Sequence, residues 1–166
     1  RKKMAMVFQF GALFDSMNIE ENILLGLRNV TNLDLEQMKN RVENSLDLVN
    51  LHDINKKMPS EISGGMKKRV GIARAIAMDP EYILYDEPTT GLDPITTDRI
   101  NLLIKKVSDK KNVTSILVTH NMRTLQTVAN KVIMLHEGNI IFNGNVDELF
   151  SSNDSFIKYF VTGENN

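Results

Sequence analysis

Apolar residues along this chain follow two different periods, and the change from one to the other divides it. Between Asp34 and Leu51 the apolar positions Leu35, Met38, Val42, Leu46 and Val49 recur every three or four residues, the spacing of one helix face. Pro59-Ser60 ends that pattern. Gly64-Gly65 then leads into a second helical stretch running to about Met78, where Asp79-Pro80 stops it. Next the period collapses. Tyr82-Ile83-Leu84-Tyr85 is a continuous apolar run closed by Asp86-Glu87-Pro88, the pattern of a buried parallel strand with acids at its carboxyl end.

Asp93-Pro94 supplies an N-cap and a proline at the first helical position, which predicts a helix to about Asp109. Ser115 to Thr119 predicts the next buried strand, and Asn121 to Ala129 the next helix. Val132–Leu135 and Asn139–Phe142 flank Glu137-Gly138 as a hairpin, Asp147–Phe150 starts a short helix, and Thr162–Asn166 is a polar tail. At the other end, Met4–Phe8 reads as the end of a strand, and Gly11–Asn18 as a loop carrying exposed apolar residues. Strands alternating with helices in the second half predict an α/β sheet, with the earlier helical stretch inserted into it.

Composition narrows the function classes. The chain of 166 residues is long enough for a real core, and its 20 basic and 21 acidic residues leave a net charge of −1. That balance gives no electrostatic reason to expect nucleic acid. The absence of cysteine excludes disulfides, thiolate metal sites and a cysteine nucleophile. Arg1-Lys2-Lys3 followed by Met4 to Phe14 imitates a signal peptide, but Gln9 interrupts the run and no small-x-small cleavage site follows. No uncharged apolar stretch reaches the ~18 residues needed to cross a bilayer, so any membrane link runs through a partner.

Three places carry candidate chemistry. Asp86-Glu87 ends an apolar strand, at the edge where α/β proteins bind ligands. Phosphoryl transfer needs one acid near Mg²⁺ and another group that orients the attacking water. A solvated strand end explains the pair equally well. Ser63-Gly64-Gly65 stands immediately before a helix, where backbone N–H groups and the helix terminus favour an anion, and Lys67, Lys68 and Arg69 add to that field. Taken alone it is more often a plain helix cap, with Ser63 satisfying the first amides. His120 follows a strand and falls at the same carboxyl edge as Glu87, within reach of a phosphate oxygen. His52 and His136 read as structural, Gln9 as an ordinary polar strand end, and Met38 as core.

Taken in order, these elements resemble the ATP-binding-cassette ATPases. Val7-Phe8-Gln9 with Gly11-Ala12-Leu13-Phe14 resembles the Q-loop, and Ile62-Ser63-Gly64-Gly65-Met66 followed by Lys68-Arg69-Val70-Gly71 resembles the signature motif. Ile83 to Pro88 resembles Walker B with its trailing glutamate, Gly91-Leu92-Asp93 the D-loop, and Val118-Thr119-His120 the switch histidine. The resemblance implies an α/β fold of the P-loop NTPase type: an incomplete parallel sheet, an inserted α-helical signature subdomain, and a closing hairpin and helix. One such domain spans residues 1–166, with the helical subdomain at 16–79 and the second part of the core at 80–166.

It also implies roles. Asp86 would hold Mg²⁺ through water, Glu87 would polarise the attacking water, and His120 would contact the γ-phosphate of ATP. Gln9 would sense the metal and couple to a membrane subunit. Ser63, Gly64, Gly65 and Met66 would close over ATP held by the opposite subunit of a head-to-tail dimer, across which Asp93 communicates. The expected partners are therefore a second ATPase subunit and transmembrane permease subunits, with no nucleic acid. The expected location is the cytoplasmic face of the inner (plasma) membrane, as a peripheral subunit without a span of its own. Met66 stands where most members of the family carry Gln. With Phe8-Gln9-Phe10-Gly11-Ala12-Leu13-Phe14 and Asp93-Pro94-Ile95-Thr96, it makes the chain similar to the ATPases of Mla-type phospholipid transporters, which maintain outer-membrane lipid asymmetry.

One family feature is missing. A P-loop needs G-x-x-x-x-G-K-[ST], and none of the nine glycines is followed by lysine. The chain opens on Arg1 straight into a strand-like run, as if entered part-way through a domain. The expectation is a fragment that keeps groups acting on the γ-phosphate, lacks the main grip on nucleotide, hydrolyses ATP negligibly alone and leaves sheet edges open and an apolar face uncovered. Three other readings remain: a small-solute importer ATPase, a soluble superfamily member in DNA repair or translation, and a truncated, non-catalytic regulatory partner of an intact subunit.

Overall fold

A computed structural model describes residues 3–9, 11–111 and 113–163; Arg1, Lys2, Phe10 and the end of the polar tail lie outside the described residues. The chain forms two compact units, one running to His120 and the other starting at Asn121. In the first, β1 (Met4–Val7), β2 (Tyr82–Asp86) and β3 (Thr114–Val118) form a parallel sheet in the order β1-β2-β3. Val7 is in register with Tyr85, and Asp86 with Val118, so the carboxyl ends of the three strands share one edge.

Between β1 and β2 the chain builds α1 (Ile19–Val30), α2 (Leu35–Leu48) and α3 (Gly64–Ala77). Asn18 and Asp34 open the first two as capping boxes with Glu21 and Gln37, and Ser63 caps the third. Ile23, Leu27, Val42, Leu46, Val70 and Ile72 are almost completely buried and form the packed faces. Leu35, expected on that apolar face, is 52% exposed. It is the first residue of α2, one turn short of where the helix meets its neighbours.

Helix α3 packs on α1 and α2, and also on β1 and α4 (Pro94–Lys111), so it links the helical insert to the sheet. Gly71 permits part of this approach: a Cβ there would lie 3.3 Å from the Cα of Gly11. Gly11 itself has φ of 75°, and a Cβ on it would lie 3.0 Å from the Lys67 carbonyl oxygen.

The strands, expected to be buried, are buried on one side only, which leaves the uncovered apolar face that was also expected. Ala5, Val7, Ile83 and Tyr85 are buried, but the alternate positions Met4, Met6, Tyr82, Ile116 and Val118 are between 40% and 60% exposed. Side chains alternate across a strand, and among the described residues only one face of this sheet is covered.

The second unit holds α5 (Met122–Val128), the antiparallel pair β4 (Lys131–His136) and β5 (Asn139–Asn145), α6 (Val146–Phe150) and α7 (Ser155–Thr162). Glu137 and Gly138, both at positive φ, make the hairpin turn where the sequence places it. Leu125, Val132, Leu149 and Ile157 form its core.

Candidate functional site

Glu87 follows β2 at a backbone φ of 45°, a left-handed conformation that non-glycine residues adopt at a cost. Its amide donates to the Val118 carbonyl, which fixes the turn against the end of β3. In that position the carboxylate collects four donors. The His120 amide and imidazole Nδ1 reach Oε1 at 3.0 and 2.6 Å, and the Thr90 and Thr119 hydroxyls reach Oε2 at 3.0 and 3.4 Å. Burial pushes the Glu87 carboxyl up, but the His120 and Thr90 hydrogen bonds, with the charge of His120, outweigh it and hold the group below its ordinary value.

Asp86, one residue earlier, is half-buried, and its carboxylate has no hydrogen-bond partner among the described residues. Gln9 stands two residues past Val7 and Glu87 two past Tyr85, so the parallel register brings Gln9 to the same sheet edge as Asp86, Glu87 and His120. The imidazole of His120 is 73% exposed, and its Nδ1 is the ring atom engaged among the described residues.

The glycine-containing segment lies at the start of α3. Ser63 Oγ accepts from the Met66 amide at 3.3 Å, so this serine is a helix cap, as its simplest reading has it. Gly64 and Gly65 differ. A Cβ on Gly64 would meet nothing within 4 Å, whereas one on Gly65 would come within 2.9 Å of the Thr96 Cγ2. That contact brings the start of α3 against the start of α4, where Asp93 Oδ1 accepts from the Thr96 amide at 3.0 Å. The Thr96 hydroxyl first, and then this amide, hold the Asp93 carboxyl below its ordinary value.

Two of the cations after the glycines are held by backbone carbonyls. Lys68 is only 7% exposed and donates to the Thr90 carbonyl oxygen at 2.7 Å. Arg69 donates to the carbonyls of Val49 and Asn50 at 3.3 and 3.0 Å, at the end of α2. Lys68 thus reaches the turn after β2, and Arg69 the end of α2. Arg74 is another long-range cation: its two Nη groups donate to the Ala12 and Gly11 carbonyls, each at 2.8 Å, and clamp the segment after Gln9 onto α3.

Sequence reasoning missed Asn22, which is 1% exposed. Its Oδ1 accepts from the Phe14 amide at 2.7 Å, and its Nδ2 donates to the Phe14 and Met17 carbonyls at 3.1 and 3.0 Å. The loop is pinned while the Phe14 side chain stays 52% exposed. A polar residue between Glu20-Glu21 and Ile23-Leu24 on a helix was the available signal.

Known proteins resemble this chain over most of its length. The family described as "ABC transporter" matches residues 1–90. The chain is 38% identical over 164 residues to the intermembrane phospholipid transport system ATP-binding protein MlaF of Haemophilus influenzae, a match covering 99% of this chain and 62% of that protein. It is 37% identical over 174 residues to the methionine import ATP-binding protein MetN of Campylobacter jejuni, covering 97% of this chain and 52% of that protein. The chain therefore spans between about half and three fifths of the length of these curated relatives. Among solved structures, the ATP-binding cassette MJ0796, in a dimeric post-hydrolysis state bound to ADP and Pi, superposes with a TM-score of 0.77. Identity there is 30%, over 87% of this chain and 63% of that one.

Proposed function

The chain belongs to the ABC transporter family, and on that premise we propose that it serves as the ATP-hydrolysing part of a subunit that powers a membrane transporter. The observation that carries this reading is the pairing of Glu87 with His120 beside the unpartnered Asp86, at the carboxyl edge of a parallel sheet.

Each residue has a task. Glu87 polarises the attacking water. In the present geometry both of its oxygens accept protein donors, so a water gains Oε1 when the imidazole turns from Glu87 toward a γ-phosphate. The exposed His120 ring is free to make that turn, while its backbone amide keeps Glu87 in place. ATP is the substrate. Mg²⁺ fits the donor set, since this ion is usually held by one or two carboxylates with substrate phosphates, and Asp86 offers one carboxylate without a competing partner. Bound there with Gln9, the ion supplies charge neutralisation to the phosphates.

Ser63, Gly64, Gly65 and Met66 face ATP on a second subunit in a head-to-tail dimer, with Asp93 at the junction. The dimeric state of the MJ0796 neighbour supports that arrangement. The pinned loop with exposed Phe14 docks a transmembrane permease subunit, and the chain sits peripherally at the cytoplasmic face of the inner membrane. Among the described residues no helix is long and apolar enough to cross a membrane.

Phospholipid is the proposed cargo, supported by Met66 in the signature and by the MlaF likeness. Small-solute import is the second reading, favoured by the nearly equal identity to MetN. The test is ATP turnover by the assembled transporter carrying Glu87→Gln. Phosphate release should fall about 10²–10⁴-fold with ATP binding retained; parental turnover by this variant would remove the reading. Transfer of labelled phospholipid between vesicles, set against methionine uptake, separates the two cargoes.

A further inference from the structure

The catalytic reading leaves one charged region unused. A groove of about 410 Å³ opens between the end of α2, α3 and α4, away from the Glu87 cluster. Its walls include Val49, Arg69, Arg99, Leu102, Leu103 and Lys106, and among the described residues no carboxylate lines it. Arg99, Leu102, Leu103 and Lys106 follow the i, i+3, i+4, i+7 spacing, so one face of α4 carries a cation, two leucines and a second cation. Leu102 is 60% exposed between those cations, whereas Leu103 and Val49 are buried and form the floor.

The charges are arranged for an anion. Arg99 and Lys106 are exposed and engage no partner among the described residues. Across the groove, Arg69 Nη1 is bound to the Val49 and Asn50 carbonyls, which holds the guanidinium still and leaves its other N–H groups to face a ligand. Burial, and then the like charge of Arg99, both push the Arg69 guanidinium below its ordinary value. Holding like charges together around an apolar floor is unfavourable until an anion arrives. The volume falls within the range of small-ligand sites.

We propose that this groove binds a small soluble organic anion, a phosphate-type headgroup on a short apolar body. The headgroup bridges Arg69, Arg99 and Lys106 while the apolar part lies on Leu102, Leu103 and Val49. Because the groove is formed by the helix after Asp93 and the helix after Ser63, its occupant stiffens the junction between these segments.

The test is titration of the full chain with hexyl phosphate, followed by calorimetry and by methyl NMR of Val49, Leu102 and Leu103. Saturable binding below about 1 mM is expected, with shifts confined to those methyls. Inorganic phosphate, lacking the apolar part, should bind about tenfold more weakly. Arg99→Glu with Lys106→Glu should weaken hexyl phosphate about tenfold or more, while Glu87→Gln leaves it unchanged, which separates this site from the proposed ATP site. If the double reversal unfolds the chain, Arg99→Gln alone replaces it. Unchanged affinity in a folded charge variant, shifts at other methyls, or binding of an acidic peptide or anionic vesicle without hexyl phosphate binding would each overturn the proposal.

Discussion

The ammonium group of Lys68 lies 2.7 Å from the carbonyl oxygen of Thr90, and the hydroxyl of Thr90 lies 3.0 Å from Glu87. A residue in the first turns of α3 thus holds the turn that carries the acid at the end of β2. With the Gly65–Thr96 approach, it ties the start of α3 to the segment from Asp86 to Thr96 at two points. Movement at the start of α3 therefore reaches Glu87 through one side chain and one turn.

Replacing Lys68 should act through that turn. Lys68→Met removes the donor and leaves the Thr90 carbonyl unsatisfied, at a cost of about 1–3 kcal/mol in stability. On the proposed function, kcat for ATP should fall while KM for ATP changes little, because Glu87 loses its support. Lys68→Gln keeps a donor and should recover part of both. Equal behaviour of the Met and Gln variants in steady-state kinetics would show that the hydrogen bond to Thr90 does not position Glu87.

The depressed Glu87 carboxyl predicts how stability depends on acid. Its folded pKa lies below the ordinary 4.5, so its bonds contribute fully above the unfolded value and are lost as pH falls through the folded one. In denaturant melts between about pH 6 and pH 3, the parent should lose stability more steeply than Glu87→Gln. Parallel pH profiles for the two proteins would contradict the assignment of that depression to His120 and Thr90.

Much of the site was legible because its residues sit at fixed offsets from strand ends. Asp86-Glu87 and Thr119-His120 follow apolar runs, so the parallel register alone brings them to one edge. The hairpin at Glu137-Gly138 was legible for a similar local reason. What escaped depended on packing. Helix α1 was not separated from the rest of the insert, and its buried Asn22 looks like any polar helix residue until the Phe14 loop folds over it. The carbonyl partners of Lys68 and Arg69 escaped as well, because a sequence does not show which long side chains cross to another element. An uncovered apolar face was expected, but a continuous apolar run does not show which alternate positions that face takes in.

The two adjacent glycines should respond oppositely to one methyl group. Gly64→Ala enters open space and gains helix propensity, so stability should stay level or rise by up to about 1 kcal/mol. Gly65→Ala drives its Cβ onto the Thr96 methyl, and overpacking should exceed the propensity gain by about 1 kcal/mol. Thr96→Ser removes that methyl and should restore the Gly65→Ala melting temperature. If Gly64→Ala is stable yet abolishes ATP turnover in the assembled transporter, the loss lies in closure over the partner's nucleotide and not in folding. Full turnover in that variant would mean that the glycine serves only as helix start.

Arg74 offers a test of the clamp that seats the Gln9 loop. Its two guanidinium donors span the Gly11 and Ala12 carbonyls, whereas Arg41 makes a single bond, from Nη1 to the Ala77 carbonyl at 3.1 Å. A lysine ammonium can replace the second kind of contact but cannot reproduce the fork of the first. Arg74→Lys should therefore cost about 1–2 kcal/mol and Arg41→Lys well under 1, measured as shifts in denaturant midpoint. Amide exchange should localise the Arg74 loss to residues 11–14, because Asn22 still holds Phe14 from the far side. If both substitutions cost the same, or if exchange rises evenly along α3, the loop is held by Asn22 and the Gly11–Gly71 approach, and Arg74 contributes packing without positioning Gln9.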